Sequence, residues 1–191
     1  MENILLISDV MIKERTAIHG NIDPKLIYPD IKVAQDMYIL PVLGSALYFK
    51  LQELIISNDI NDGAYAAYKT LMDIYIVDAL IYYCLSELPT TISYQFWNKG
   101  VMRKQGLDTD LPSMSDLIDL SNKYRNRAEF YANRLKRYLQ QTATATVLPE
   151  YINPGNGIDT INPDQKTFTI PIYLGGDDCC CNDTPTKPYG Q

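Results

Sequence analysis

Residues 31–51 read IKVAQDMYILPVLGSALYFKL, and the fold turns on how that run divides. Ile31, Ala34, Gln35, Tyr38 and Ile39 recur at helical spacing, with the apolar members on one face. Pro41 has no N–H to donate and crowds the turn before it, so it is expected to break the helix. Gly44 permits a sharp change of direction or a close helix approach. Leu43, Leu47, Leu51 and Leu54 then start a second apolar stripe, with Ala46 and Tyr48 beside it. The stretch therefore predicts two helices meeting at a corner. Its residue types build shape and supply no reactive group.

Working outward, Asp23-Pro24 is a helix start, an N-cap followed by proline in the first turn. Pro29 is expected to reset that helix, which then runs to Leu40, and the second helix spans about 42–56. Residues 57–63 (SNDINDG) form a polar loop. Residues 64–88 are apolar nearly all round, which predicts a central helix touched on several sides, ended by Pro89. Residues 90–112 read as a connector, with a short helix near 95–104. A last helix starts at Ser113 or Ser115 and ends near Gln141. Leu117, Ser121, Tyr124, Ala128, Tyr131, Leu135 and Tyr138 form its heptad-like seam. The first 21 residues read as either strand or helix, with Ser8 and Asp9 able to cap a helical piece.

After Gln141 the composition changes. Residues 142–191 hold six of the eleven prolines. Residues 167–174 (TFTIPIYL) are the one convincing strand, with Phe168, Ile170 and Ile172 on one face and Tyr173 on the other. The predicted class is all-α: a bundle of four to five helices over residues 22–141, a short segment 1–21 before it, and an extended arm 142–191 carrying one β-strand.

The totals narrow the function. The chain has 191 residues and a net charge of −6. Residues 1–141 hold 15 basic and 17 acidic side chains, and residues 142–191 hold 2 and 6. An acidic chain is a poor match to a dedicated nucleic-acid binder. Residues 1–10 lack the basic start and cleavage site of a signal peptide. The longest apolar run, 71–85, is interrupted by Asp73 and Asp78 and is short for a bilayer. The expected compartment is a host-cell cytoplasm, and no membrane association is expected. One histidine, His19, excludes a Glu-x-x-His di-iron bundle and a His-rich zinc site. Cys179, Cys180 and Cys181 are adjacent rather than spaced for convergence on a metal. No catalytic residue, metal ligand or cofactor is expected. The 15 tyrosines, twelve of them between Tyr28 and Tyr138, suit protein interfaces as well as core.

The pattern of Ile31, Ala34, Gln35, Tyr38, Ile39, Pro41, Leu43, Gly44, Leu47, Tyr48 and Leu51 resembles the signature of head–tail connector (adaptor) ring proteins of tailed bacteriophages, particularly those of crAss-like phages. Residues 22–30 (IDPKLIYPD) fit the same pattern. The resemblance implies a structural virion protein at the neck, made in the bacterial host cytoplasm. About a dozen copies would close into a ring. The ring would dock on the portal protein, present a platform for further tail or collar rings, and extend the channel. Genomic DNA would pass through without specific binding. The C-terminal arm, with Phe168, Ile170, Ile172 and Tyr173, would reach the portal or an adjacent subunit. The rival expectation is a helical nucleic-acid-binding packaging or regulatory protein using Lys123, Arg125, Arg127, Arg134, Lys136 and Arg137.

Overall fold

The computed structural model describes residues 4–98, 100–103, 112–155, 157 and 160–164. The elements run α1 (Asp9–Arg15), α2 (Pro24–Ala34), α3 (Leu40–Leu43), α4 (Ser45–Ile56), α5 (Ala66–Thr70), α6 (Val77–Ser93), β1 (Tyr94–Trp97), β2 (Gly100–Arg103), α7 (Met114–Thr142) and α8 (Pro149–Ile152). A π turn, Gln35–Ile39, joins α2 to α3, and a second, Leu71–Ile76, joins α5 to α6. The fold is all-α, with one small hairpin among the described residues. Four long helical runs carry it.

The first segment resolves as a helix. The Ser8 hydroxyl accepts from the Met11 amide at 3.2 Å and caps α1. Leu6, Ile7 and Ile12 are buried in the common core. Asp23 caps α2 as expected, accepting from the Lys25 amide at 3.0 Å. The prolines behave differently from the expectation. Pro29 lies inside α2 and does not reset it, and the helical path continues through Pro41. The first π turn sits directly ahead of Pro41, with the Leu40 N–H donating to the Gln35 carbonyl five residues back. One extra residue in that turn relieves the crowding that the pyrrolidine ring would cause. The break falls at Gly44, whose φ of 76° and ψ of 158° suit glycine almost alone.

Pro89 likewise fails to end its helix, which continues to Ser93. Side-chain hydroxyls take up carbonyls nearby: Ser86 donates to Tyr83 at 2.7 Å, Thr90 to Glu87 at 2.9 Å, and Ser121 of α7 to Ser86. Packing of α6 against α2 and α7 outweighs the proline's cost of about 3 kcal/mol. The short helix expected near 95–104 is instead an antiparallel hairpin, with Tyr94 opposite Arg103 and Trp97 opposite Gly100. Aromatic and branched residues there favour strand over helix.

The final helix begins where the sequence indicated. Ser113 and Asp116 form a capping box, the Ser113 hydroxyl accepting from the Asp116 amide and the Asp116 carboxylate from the Ser113 amide. These bonds hold the Asp116 carboxyl below its usual range. Leu117, Ala128 and Leu135 of the seam are buried, and Tyr124, Tyr131 and Tyr138 pack on the core. Ala132 and Leu139 join them because a straight helix drifts off a strict heptad. The packed unit extends past residue 141: Leu148 and Tyr151 are buried in the same core.

Among the described residues no single helix is long and apolar enough to cross a membrane. Pro24–Leu43 and Ser45–Ile56 together reach the length and composition of a span but are bent by 119°. Ile27, Ile31, Ala34, Ile39, Leu43, Leu47, Leu51 and Leu54 of this pair are buried in the common core.

Candidate functional site

The motif corner closes on itself. Ile31, Ala34, Ile39, Leu43, Leu47 and Leu51 are fully buried. Gln35, the motif's polar residue, is buried with both ends of its amide bonded. Its Oε1 accepts from the Leu6 amide at 2.8 Å, while Nε2 donates to the Ile4 carbonyl at 3.0 Å and to the Tyr48 hydroxyl. The Tyr48 hydroxyl donates to Asp36 Oδ1 at 3.1 Å. Burial pushes the Tyr48 phenol up to about 12, so it stays a donor. Gln35 thus stitches the N-terminal segment to the corner, the price of burying an amide being offset only because every group is paired.

The corner also seats the chain that follows α8. The Ser45 amide donates to the Ile161 carbonyl at 2.9 Å, and the Ile161 amide donates to Ser45 Oγ at 2.8 Å. The Asp164 amide donates to the Pro41 carbonyl at 2.8 Å, and Lys136 pairs with the Asp164 carboxylate at 2.6 Å. A Cβ on Gly44 would lie 2.7 Å from Pro163 Cδ and 3.1 Å from the Ile161 carbonyl oxygen. The glycine is required here both for its backbone angles and for this contact.

Accessible features lie along α7. Three tyrosine pairs stack between α7 or the first π turn and the central helix. Tyr38 and Tyr83 lie 4.1 Å apart and nearly parallel, Tyr75 and Tyr138 4.0 Å, and Tyr82 and Tyr131 5.2 Å. Arginines cover two of them: Arg125 lies 5.5 Å over Tyr38 and donates to its hydroxyl at 3.3 Å, and Arg134 lies 4.9 Å over Tyr75. The Tyr38 hydroxyl donates to Glu87 at 2.8 Å, and burial with that carboxylate raises its pKa. Arg127 lies 5.9 Å over Tyr124. Such contacts are worth about 0.5–1 kcal/mol at exposed sites. Four of the six basic residues singled out on α7 thus already have intramolecular partners, Lys136 being the fourth.

Two grooves of about 370 and 350 Å³ meet at Asn133. Tyr75, Phe130, Arg134 and Arg137 line the first, and Met37, Tyr38, Glu129 and Lys136 the second. Phe130 is 66% exposed and Met37 59%. The strip is rich in the side chains that dominate protein interfaces: aromatics, methionine and arginine. Sequence reading did not single out Phe130, Met37 or Ser45. An aromatic on the charged side of an amphipathic helix is the signal that points to Phe130. Tyr38 and Pro41 are the motif residues that border this strip. The others named in the motif lie in the core or at its wall.

A family model matches residues 39–161, well over half of the chain, and describes a family of unknown function, DUF6712. The chain belongs to that family. The match to DUF6712 runs from Ile39, within the motif, to Ile161, the residue bonded to Ser45, so it covers the second half of the corner, the hairpin and α7 and leaves out Ile31, Ala34, Gln35 and Tyr38. No curated protein and no solved structure matches the chain.

Cys84 is buried, and burial pushes its thiol up to about 12, which makes it an unreactive core residue. His19 Nδ1 accepts from the Asn21 amide at 3.2 Å within a turn. Among the described residues no group of three His, Cys, Asp or Glu side chains is placed to hold a metal. The strand read at 167–174, with Phe168, Ile170, Ile172 and Tyr173, and the Cys179–Cys181 cluster lie outside the described residues.

Proposed function

We propose that this protein is a structural ring subunit of a tailed-phage neck. Copies stand side by side, about a dozen to a ring, dock on the portal protein and present a platform for further tail or collar rings. The genome passes through the channel without specific contacts. The protein catalyses no reaction and carries no cofactor. It is made in the bacterial host cytoplasm and acts in the virion.

The motif at residues 31–51 carries the reading, through its resemblance to connector proteins. The aromatic–arginine strip between Met37 and Phe130 is consistent with it, because a ring subunit must present contact surface to neighbours on two sides. Each contact can be weak: about 4 kcal/mol corresponds to a millimolar partner, and closure of a ring makes many such contacts act together. The isolated chain is then expected to be monomeric at low concentration.

The test is fractionation of purified virions followed by mass spectrometry of the neck. The chain should be found there in ring stoichiometry with the portal. Its absence from the neck would end the proposal. Binding of the isolated chain to duplex DNA, falling with salt at a slope near −0.9 per phosphate contacted, would favour the nucleic-acid reading instead.

A further inference from the structure

The groove of about 370 Å³ near the end of α7 holds positive charge that the described fold does not neutralise. Arg134 and Arg137 line it with Tyr75, Phe130 and Tyr138, and none of its lining residues is acidic. Ion pairs among the described residues engage Lys13, Arg15, Lys32, Lys50 and Lys136, and neither arginine of the groove. Residues 130–142 contain no Asp or Glu. The helix end alone does not account for these charges. A cation steadies the macrodipole within the last turn, whereas α7 ends at Thr142, about two turns beyond Arg134. Phe130 lies one turn before Arg134 and is 66% exposed.

We propose that this groove binds an extended acidic segment of a partner protein, with carboxylates on two alternate residues and an apolar side chain at the next alternate position. This rests on the reading that the strip is a contact surface, and it names what that surface takes.

The groove is prepared for such a segment. The Arg134 guanidinium lies 4.9 Å over the Tyr75 ring, which is itself stacked on Tyr138 at 4.0 Å. A guanidinium already held by an aromatic ring loses little freedom when it pairs. Its planar fork matches a carboxylate with two parallel N–H donors. Phe130, Arg134 and Arg137 stand at i, i+4 and i+7, on one stripe of α7. The steps between them are about 6 and 4.5 Å along the axis. Side chains on one face of an extended strand are about 6.6 Å apart. The long arginine side chains take up the difference, so three alternate residues meet Phe130, Arg134 and Arg137 in turn.

Charge and sequence choose among occupants. A duplex would bring a long run of phosphates against a chain of net charge −6. A second copy of the chain lacks the pattern. Its one alternating acidic pair is Asp108 and Asp110, flanked at the same spacing by Gly106 and Pro112.

NMR titration of the isotope-labelled full-length chain with a synthetic peptide LSESE, blocked at both ends, tests this. At low salt the amides of residues 130–141 should shift saturably, with a Kd of about 1 mM or below. The neutral peptide LSQSQ should bind about tenfold more weakly, because it cannot make charge-assisted pairs. Arg137→Gln, at an exposed position, should also weaken LSESE about tenfold while the melting midpoint is unchanged. Equal binding of the two peptides would overturn the proposal, as would the lack of any saturable shift in residues 130–141. Tighter binding of a DNA oligonucleotide at the same amides would make the groove a nucleic-acid site and overturn it. So would the same shifts on concentrating the chain alone, which would seat a second copy there. Tighter peptide binding after Asp177→Asn with Asp178→Asn would seat the chain's own C-terminal segment there, and would also overturn it. Peptide binding by a chain absent from the virion neck leaves this inference standing while the neck reading fails. A chain present in the neck whose groove ignores the peptide does the reverse.

Discussion

The motif corner and the strip along α7 share residues but are built on opposite principles. At the corner the motif side chains of Ile31, Ala34, Ile39, Leu43, Leu47 and Leu51 are fully buried, and the buried amide of Gln35 is bonded at both ends. Along the strip, Phe130 and Met37 stand out in solvent, and tyrosines stack half-buried under arginines. The apolar motif positions that are most recognisable in the sequence are thus the ones with least left over for a partner. Their surroundings along α7 carry the exposed Phe130 and the arginines stacked on tyrosines. Recognition of a motif and location of a contact surface are separate questions in this fold.

The comparison breaks most readily at Gly44. Gly44→Val puts a side chain 2.7 Å from Pro163 Cδ on a backbone that only glycine adopts comfortably. Overpacking and backbone strain together should cost about 3 kcal/mol, lowering the melting midpoint by roughly 6–12 °C for a chain of this size. An unchanged midpoint with lost portal binding would turn the corner into a contact site. Next is Gln35→Leu, which leaves the Leu6 amide and Ile4 carbonyl unpaired in the core. It should cost about 1–3 kcal/mol and raise hydrogen exchange at residues 4–8 before any global change. Uniform loss of protection throughout would show that the N-terminal segment is not separately held.

Asp30 sharpens the contrast from within the core. It is buried, Thr91 donates to its Oδ1 at 3.1 Å, and Oδ2 has no partner among the described residues. Burial raises its pKa, with a further rise from Glu87. A raised carboxyl pKa contributes stability at low pH that is lost as pH rises through the folded-state value. Asp30→Asn should therefore stabilise the protein at neutral pH by about 1 kcal/mol. The gain should vanish below the ordinary carboxyl range. Thermal melts across pH decide it, and a destabilised variant at pH 7 would mean that the carboxylate is satisfied. On the strip, by contrast, Phe130→Asp should move stability by no more than about 0.5 kcal/mol, since the ring is largely in solvent.

Much of the helical order was legible because its signals are local: Asp23-Pro24, the Ser113–Asp116 box and the α7 seam need no partner to be read. Gly44 was legible as a corner for the same reason. The three prolines were misread because their outcome depends on what packs around them. The π turn ahead of Pro41 and the hydroxyls near Pro89 are tertiary accommodations that a propensity does not contain. The hairpin was missed because residues 94–103 have no turn signature of glycine pairs, although Phe96, Trp97 and Val101 favour strand. The seating of Ile161 and Asp164 on the corner joins residues more than a hundred positions apart, and no spacing rule reaches that far.

Electron microscopy of purified portal mixed with the chain tests the central claim, that the corner builds the subunit and the strip binds its partners. Wild-type chain should add a ring density of cyclic symmetry to the portal. Phe130→Asp, folded and melting like wild type, should leave the portal bare or the ring incomplete. Complete rings from Phe130→Asp, or no added density from wild type at high concentration, would contradict the account.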